Sequence, residues 1–388
     1  MFKMNDHPTV GREWVVIAFL MVIVIFLKRK GYAPISGYGM AMGAIVCWAV
    51  NTLAGEDDTP LQFEPEQFMY ILLPPIVLCS GLKFTYADAR QTLSTSVVFA
   101  WLATIGTALW VAVGLWSTNM VEAWIVAFWL GSIVSPTDPV GTLDQMKAIG
   151  THPIRMVLEH ESLLNDAVAI MLVHTSSRAW HMSRTMTDTE TMEVISVALG
   201  MTLLSFLFGF LFAYSIRRLL DPLLCIIVGV CLFSLCEAIG ASGIIALFVY
   251  GASIRVNDDH EKVLEICEYV SDLSETYVYV TIGGVVTQID TSYALVGIAA
   301  AFACLIGRII NIFLFGYLMR IGNIQWCLEE LLLMSSCGMR GAVSLALAIS
   351  APAELKGMMV TATVTVVIVS MITTSIATHT LLDLLPHH

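Results

Sequence analysis

The chain reads as thirteen apolar stretches separated by short polar breaks, at about 13–27, 35–54, 66–82, 96–116, 121–149, 156–173, 193–219, 222–237, 240–255, 271–288, 292–319, 326–350 and 357–381. A helix needs about 20 apolar residues to cross the hydrocarbon core of a bilayer. In that core each backbone N–H and C=O must be satisfied within the protein, which helices achieve. The pattern predicts an all-α polytopic membrane protein with about 13 transmembrane helices. The stretches at 222–237 and 240–255 are short and nearly contiguous, so one re-entrant hairpin is the alternative there. Residues 14–27 precede Lys28-Arg29-Lys30 with no small-residue cleavage site, which favours a membrane helix over a signal peptide. No soluble regulatory domain is expected.

Composition agrees. The 388 residues are 57% apolar and 13% charged, with mean hydropathy +0.80. Soluble domains carry about 25% charged residues, so a soluble enzyme or a disordered scaffold is excluded. A net charge of −12 argues against a nucleic-acid partner. The nine cysteines lie mostly inside apolar stretches without CxxC pairs. They read as small buried hydrophobes, not as a disulfide frame or a zinc site.

Sidedness follows from the basic residues. With the N-terminus outside and thirteen alternating spans, the inner loops hold twelve of the nineteen Lys and Arg: Lys28, Arg29, Lys30, Lys83, Arg90, Lys147, Arg155, Arg217, Arg218, Arg255, Lys262 and Arg320. Lys3, Arg12, Arg178, Arg184 and Lys356 fall outside, and Arg308 and Arg340 fall within spans. This places the C-terminus in the cytoplasm, with the protein in a plasma or organelle membrane. The outer loops are acidic at Glu56, Asp57 and Asp58 and at Asp188, Glu190 and Glu193. Such a rim concentrates cations slightly, although a merely solvated loop is the plainer reading.

Ionisable groups within spans are costly and mark function. Four stand out: Asp138 within Ser135-Pro136-Thr137-Asp138-Pro139, Asp166 within Glu161-Ser162-Leu163-Leu164-Asn165-Asp166, Arg308 in an apolar helix, and Arg340 within Gly338-Met339-Arg340-Gly341. Two prolines remove backbone donors and clash with the preceding turn, so the fifth span must unwind around Thr137 and Asp138. Glycines flanking Arg340 loosen the twelfth span. If spans 1–6 and 8–13 form two halves related as inverted repeats, these two broken helices occupy matching positions, the best sequence pointer to a transporter's ion site. Asp138 then offsets positive helix ends and Arg340 offsets the facing negative ends; proline kinks with a structural salt bridge are the bland alternative. In span 6, Ser162 and Asp166 lie four apart on one face, with Glu161 and Asn165 beside them. Hydroxyl, carboxylate and carbonyl oxygens suit a hard monovalent cation. Desolvation favours the neutral form of a carboxylate, so Asp166 can hold a proton or a cation but not both. Buried Glu161 needs a partner, and Arg308 is the available cation.

These motifs resemble the sodium/proton exchangers of the cation:proton antiporter superfamily. Leu130-Gly131-Ser132-Ile133-Val134-Ser135-Pro136-Thr137-Asp138-Pro139-Val140 is similar to their fifth-helix signature. Glu161-Ser162-Leu163-Leu164-Asn165-Asp166-Ala167 is similar to their sixth-helix Asn-Asp signature. Leu72-Leu73-Pro74-Pro75-Ile76, Gly240-Ala241-Ser242-Gly243, Ser274-Glu275-Thr276 and Gly338-Met339-Arg340-Gly341-Ala342 also fit, in order, over about residues 66–350. The resemblance implies a secondary antiporter exchanging sodium, lithium or potassium for protons, with no cofactor beyond the transported ions. It implies a homodimer in which a core moves like an elevator against a dimerisation region; the expected core is 66–173 and 271–350, the dimerisation region 13–54 and 193–255. It implies Asp166 as carrier, with Asp138, Thr137 and Ser162 around it, and that Asn165 preceding Asp166 goes with electroneutral exchange. The Glu161–Arg308 pair also agrees with the family. One departure is Cys79, where relatives often carry an acid; a soft thiol is a poor sodium ligand. The competing function is a cation channel, which also needs buried carboxylates but is less consistent with paired broken helices. An intramembrane zinc enzyme fails because the HExxH register started by His160-Glu161 has leucine at 164.

Overall fold

A computed structural model describes residues 8–29, 35–54, 61, 63–84, 92, 94–138, 141–142, 153–181, 188–216, 222–254, 260–287, 290–320 and 326–382. Pro139, Val140, the remainder of the fifth stretch at 143–149, Glu56 to Asp58, and the loop residues Lys3, Lys30, Arg90, Lys147, Arg184, Arg217, Arg218 and Arg255 lie outside them. The described residues contain helices and no strand.

Each apolar stretch holds a helix among the described residues, and the twelfth holds two. The first three are α1 (Pro8–Arg29), α2 (Ile35–Ala54) and α3, which runs from Pro65 through a π-helical turn at Phe68–Leu72 to Lys83. Helix α4 (Ser94–Ser117) also carries a π-helical turn, at Phe99–Ala103. Then come α5 (Trp124–Val134), α6 (Pro153–His181), α7 (Asp188–Ile216), α8 (Pro222–Ala238) and α9 (Gly243–Ile254). They are followed by α10 (His260–Val286), α11 (Ala294–Arg320), α12 (Leu328–Ser336), α13 (Ala342–Ile349) and α14 (Ala353–Leu382). The stretches at 222–237 and 240–255 form separate helices. They are joined by a tight turn in which Gly240 adopts φ +78°, a left-handed conformation suited to glycine.

Among the described residues, Ser94–Ser117, Thr291–Met319 and Ala353–Leu381 are long and apolar enough to cross a membrane by length and composition alone. Some of the other segments are broken or charged. The fifth and twelfth are interrupted, and α6 carries Glu161 and Asp166 in its middle.

Packing sorts the helices into two groups. Helices α1, α2, α3, α7, α8, α9 and α10 pack chiefly on one another, through α2–α10, α7–α9, α3–α9 and α3–α10. Helices α4, α5, α6, α11, α12, α13 and α14 pack chiefly on one another, through α4–α5, α11–α14, α4–α11 and α5–α6. The groups meet where Ala100, Leu164 and Ala167 face Ile245 and Val249. They also meet where His160 of α6 sits edge-on to Phe84 and Phe248.

The α2–α10 contact depends on small residues. A Cβ on Gly43 would lie 2.1 Å from the Val280 carbonyl oxygen, and one on Gly283 would lie 2.2 Å from that of Met40. Without side chains the two backbones touch, the close approach that small residues permit between membrane helices. Gly283→Val is expected to force α2 from α10 and to destabilise the protein by about 1–3 kcal/mol. A lower melting temperature in detergent checks this; an unchanged melting curve contradicts it.

Candidate functional site

Helix α5 stops at Val134, and Ser135 to Asp138 leave the helical conformation before the Asp138 carbonyl accepts from the Thr142 N–H at 3.2 Å. Helix α12 stops at Ser336, and α13 begins at Ala342. The two breaks cross. The Asp138 N–H donates to the Met339 carbonyl at 2.7 Å, a backbone bond between two interrupted helices. The Arg340 guanidinium donates to the Ser135 carbonyl just past the end of α5. The Arg340 N–H donates to Ser370 Oγ on α14 at 3.1 Å. The Asp138 carboxylate lies against the start of α13, where a Cβ on Gly341 would come within 2.5 Å of its Cγ. It also accepts from the Gly141 N–H at 2.8 Å. Negative charge thus sits at helix starts and positive charge at a helix end, as the backbone dipoles favour.

Helix α6 supplies the adjoining wall. Asn165 donates from Nδ2 to Thr137 Oγ1 at 2.7 Å and accepts from the Thr137 N–H at 3.3 Å. Thr137 and Ser162 share a hydroxyl–hydroxyl bond at 2.8 Å. These three side chains clasp the unwound strand to α6. Asp166 follows one residue after Asn165 and is buried, within electrostatic reach of Asp138.

Two spaces meet at these carboxylates. One, of about 340 Å³, is lined by Phe68, Leu73 and Ile76 of α3 and Glu275 and Tyr279 of α10, together with Asp138 and Asp166. The other, of about 140 Å³, is lined by Pro136, Thr137, Asp138, Asp166, Gly341 and Ser344. The larger space lies between the two helix groups. All five expected site residues, Thr137, Asp138, Ser162, Asn165 and Asp166, therefore fall within one cluster. Cys79 is buried and lines neither space. Among the described residues no group of three His, Cys, Asp or Glu is arranged to hold a metal. The oxygens that face the spaces are hard carboxylate and hydroxyl donors, the chemistry of a weakly held alkali cation.

The sequence did not single out Tyr279. Its hydroxyl donates to Asp138 Oδ2 across 141 residues of chain and from the other helix group. Its position five residues after Ser274 was no signal, since the contact depends on how α10 packs against the crossing.

Glu161 and Arg308 are paired. Arg308 Nη1 donates to Glu161 Oε1 at 2.7 Å and Nη2 to Oε2 at 3.3 Å, and Nη2 also donates to the Met334 carbonyl in the last turn of α12 at 3.1 Å. Both side chains are 5% exposed or less. Breaking a buried pair leaves one charge without its partner. Arg308→Ala is expected to destabilise the protein by about 3–5 kcal/mol, more than the loss of packing alone. The double variant Arg308→Met with Glu161→Leu is expected to recover much of that loss. Melting temperatures in detergent decide; equal stability of Arg308→Ala and wild type refutes the pairing's role.

Known proteins share this architecture. Residues 15–384 match the family described as sodium/hydrogen exchanger, transmembrane. The chain is 23% identical over 410 residues to the Na(+)/H(+) exchanger beta of Oncorhynchus mykiss, covering 96% of this chain and 52% of that protein. It is 27% identical to sodium/hydrogen exchanger 5 of Rattus norvegicus, covering 74% of this chain and 35% of that one. Against sodium/hydrogen exchanger 8 of Mus musculus the identity is 26%, with 91% and 67% covered. The chain thus spans about half the first relative's length and a third of the second's. The fold matches the sodium proton antiporter MjNhaP1 from Methanocaldococcus jannaschii at pH 8, with TM-score 0.72, 18% identity, and 98% and 99% of the two chains covered. An electron-microscopy structure of the same antiporter matches with TM-score 0.76 at 17% identity. The chain belongs to the transmembrane sodium/hydrogen exchanger family.

Proposed function

We propose that this protein is a secondary antiporter that exchanges sodium, and by the same chemistry lithium or potassium, for protons. The observation that carries the reading is the crossing of two broken helices beside Asp166, in a space shared by two helix groups. A dehydrated cation needs several oxygens, and a buried carboxylate binds it only when deprotonated. Asp166 therefore serves two cargoes in alternation, with Asp138, Thr137, Ser162 and Asn165 shaping the site. Because Asn165 replaces a second carboxylate, one cation is exchanged for one proton, and the cycle is electroneutral.

Access alternates as one helix group moves against the other. The packing supports α4, α5, α6 and α11 to α14 as the moving core and the remaining helices as the scaffold. Compared with the sequence expectation, this assigns 66–83 and 271–286 to the scaffold. The scaffold pairs with a second copy to form a homodimer, and the basic loops orient the N-terminus outward and the C-terminus to the cytoplasm. A channel reading has less support, because it gives no role to the pair of crossing broken helices beside Asp166.

The test is proton flux in proteoliposomes, read with a pH dye under sodium, lithium or potassium gradients. Saturable flux, unchanged when the membrane potential is clamped, is expected for at least one ion. Asp166→Asn is expected to reduce it to the background of empty liposomes while the protein remains folded. Sodium-driven proton flux retained by Asp166→Asn refutes the carrier assignment. An ohmic current that needs no proton gradient refutes antiport.

A further inference from the structure

Most hydroxyls at the site are already committed. Thr137 Oγ1 accepts from Asn165 and bonds to Ser162, so those three side chains satisfy one another. Asp138 Oδ2 accepts from the Gly141 N–H and the Tyr279 hydroxyl. Ser344 differs. It lies in the first turn of α13, is 1% exposed, and its Oγ has no hydrogen-bond partner. It lines the smaller space with Asp166, Asp138 and Thr137. A buried hydroxyl without a partner is costly and calls for an explanation. Elsewhere in the chain helical serines donate to the carbonyl four residues back, as Ser132 does to Phe128 and Ser350 to Ala346. Ser344 does not use that route.

We propose that Ser344 is a cation ligand: its Oγ completes a coordination shell with the Asp166 carboxylate and Asp138 Oδ1. None of these three oxygens has to surrender a protein hydrogen bond to take the ion. The Thr137–Ser162–Asn165 network then acts mainly to fix the unwound strand, and the moving ion is held by groups from both broken helices and α6. An ion gripped from α13, α6 and the fifth segment travels with the core and not with the scaffold. This inference rests on Asp166 being the carrier.

The experiment measures sodium in two ways: half-saturating sodium for proton flux in proteoliposomes, and the sodium-induced rise in melting temperature in detergent. For Ser344→Ala, half-saturating sodium is expected to rise about tenfold, the scale of one hydrogen-bond-strength contact to a charge. The maximal rate should stay within about twofold, and the sodium-free melting temperature should be unchanged or higher, since an unsatisfied group has been removed. Ser344→Thr, which keeps the hydroxyl, should restore sodium affinity to within about threefold. If half-saturating sodium does not move in Ser344→Ala, or if its sodium-free melting temperature falls instead, the assignment is overturned. Asp166→Asn run in parallel separates the two readings. Flux surviving in Asp166→Asn removes the carrier and this ligand together; a silent Asp166→Asn beside an unaltered Ser344→Ala removes only the ligand.

Discussion

An interrupted helix in a bilayer exposes carbonyls and N–H groups at a depth where no solvent can take them, and each exposed group costs several kcal/mol. This protein carries two such interruptions and brings them together, so that each supplies partners to the other. The bond from the Asp138 N–H to the Met339 carbonyl is the centre of that arrangement. Around it two arginines take the carbonyl ends: Arg340 at Ser135 beyond α5 and Arg308 at Met334 in α12. Glycines at 338 and 341 make the approach feasible, because a Cβ at either position would meet Arg308 or Asp138 within 2.5 Å. Remove the crossing and neither break is tolerable, nor is there reason for three charged groups to sit at this depth.

Satisfying the backbone so completely has a chemical consequence. The carbonyls beside the two breaks are taken by Arg340 and Arg308, whereas Ser344 Oγ, left without a partner, lines the smaller space beside Asp166. Arg308 is occupied twice, by Glu161 and by Met334, and cannot also neutralise Asp166. The positive charge in this region is spent on helix ends and on Glu161. Asp166 therefore retains an acid's appetite for an external positive charge, in surroundings where water competes poorly. This is the physical basis for reading it as a carrier and not as half of a salt bridge.

Much of this was legible in the chain itself, for local reasons. Proline at 136, glycines at 338 and 341 and acids within apolar runs announce broken helices and buried charge without any knowledge of the fold. Helical spacing put Ser162 and Asp166 on one face, and elimination paired Glu161 with Arg308. What escaped was the partner across space. Tyr279 meets Asp138 over 141 residues, Ser370 caps the Arg340 N–H from another helix, and Ser344 looked like one more small residue in an apolar run. The resemblance implied a division into two helix groups, but the placing of α3 and α10 was hidden, because the apolar pattern of a membrane helix reports lipid or protein neighbours alike. Cys79 gave the opposite lesson: its place in a motif drew notice, yet it lines neither space.

The Tyr279 hydroxyl on Asp138 is a polar contact that joins the two helix groups at the site. Elsewhere the boundary is mostly apolar: Leu164 and Ala167 on Ile245 and Val249, and the edges of Phe84 and Phe248 around His160. Apolar surfaces slide without a directional penalty, whereas a hydrogen bond to a carboxylate must break before they do. A boundary built this way resists sliding chiefly at Asp138, beside the proposed ion site. The proposed ion ligand Asp138 Oδ1 belongs to the same carboxylate whose Oδ2 accepts from Tyr279, so the proposed site lies directly beside the tie between the two helix groups.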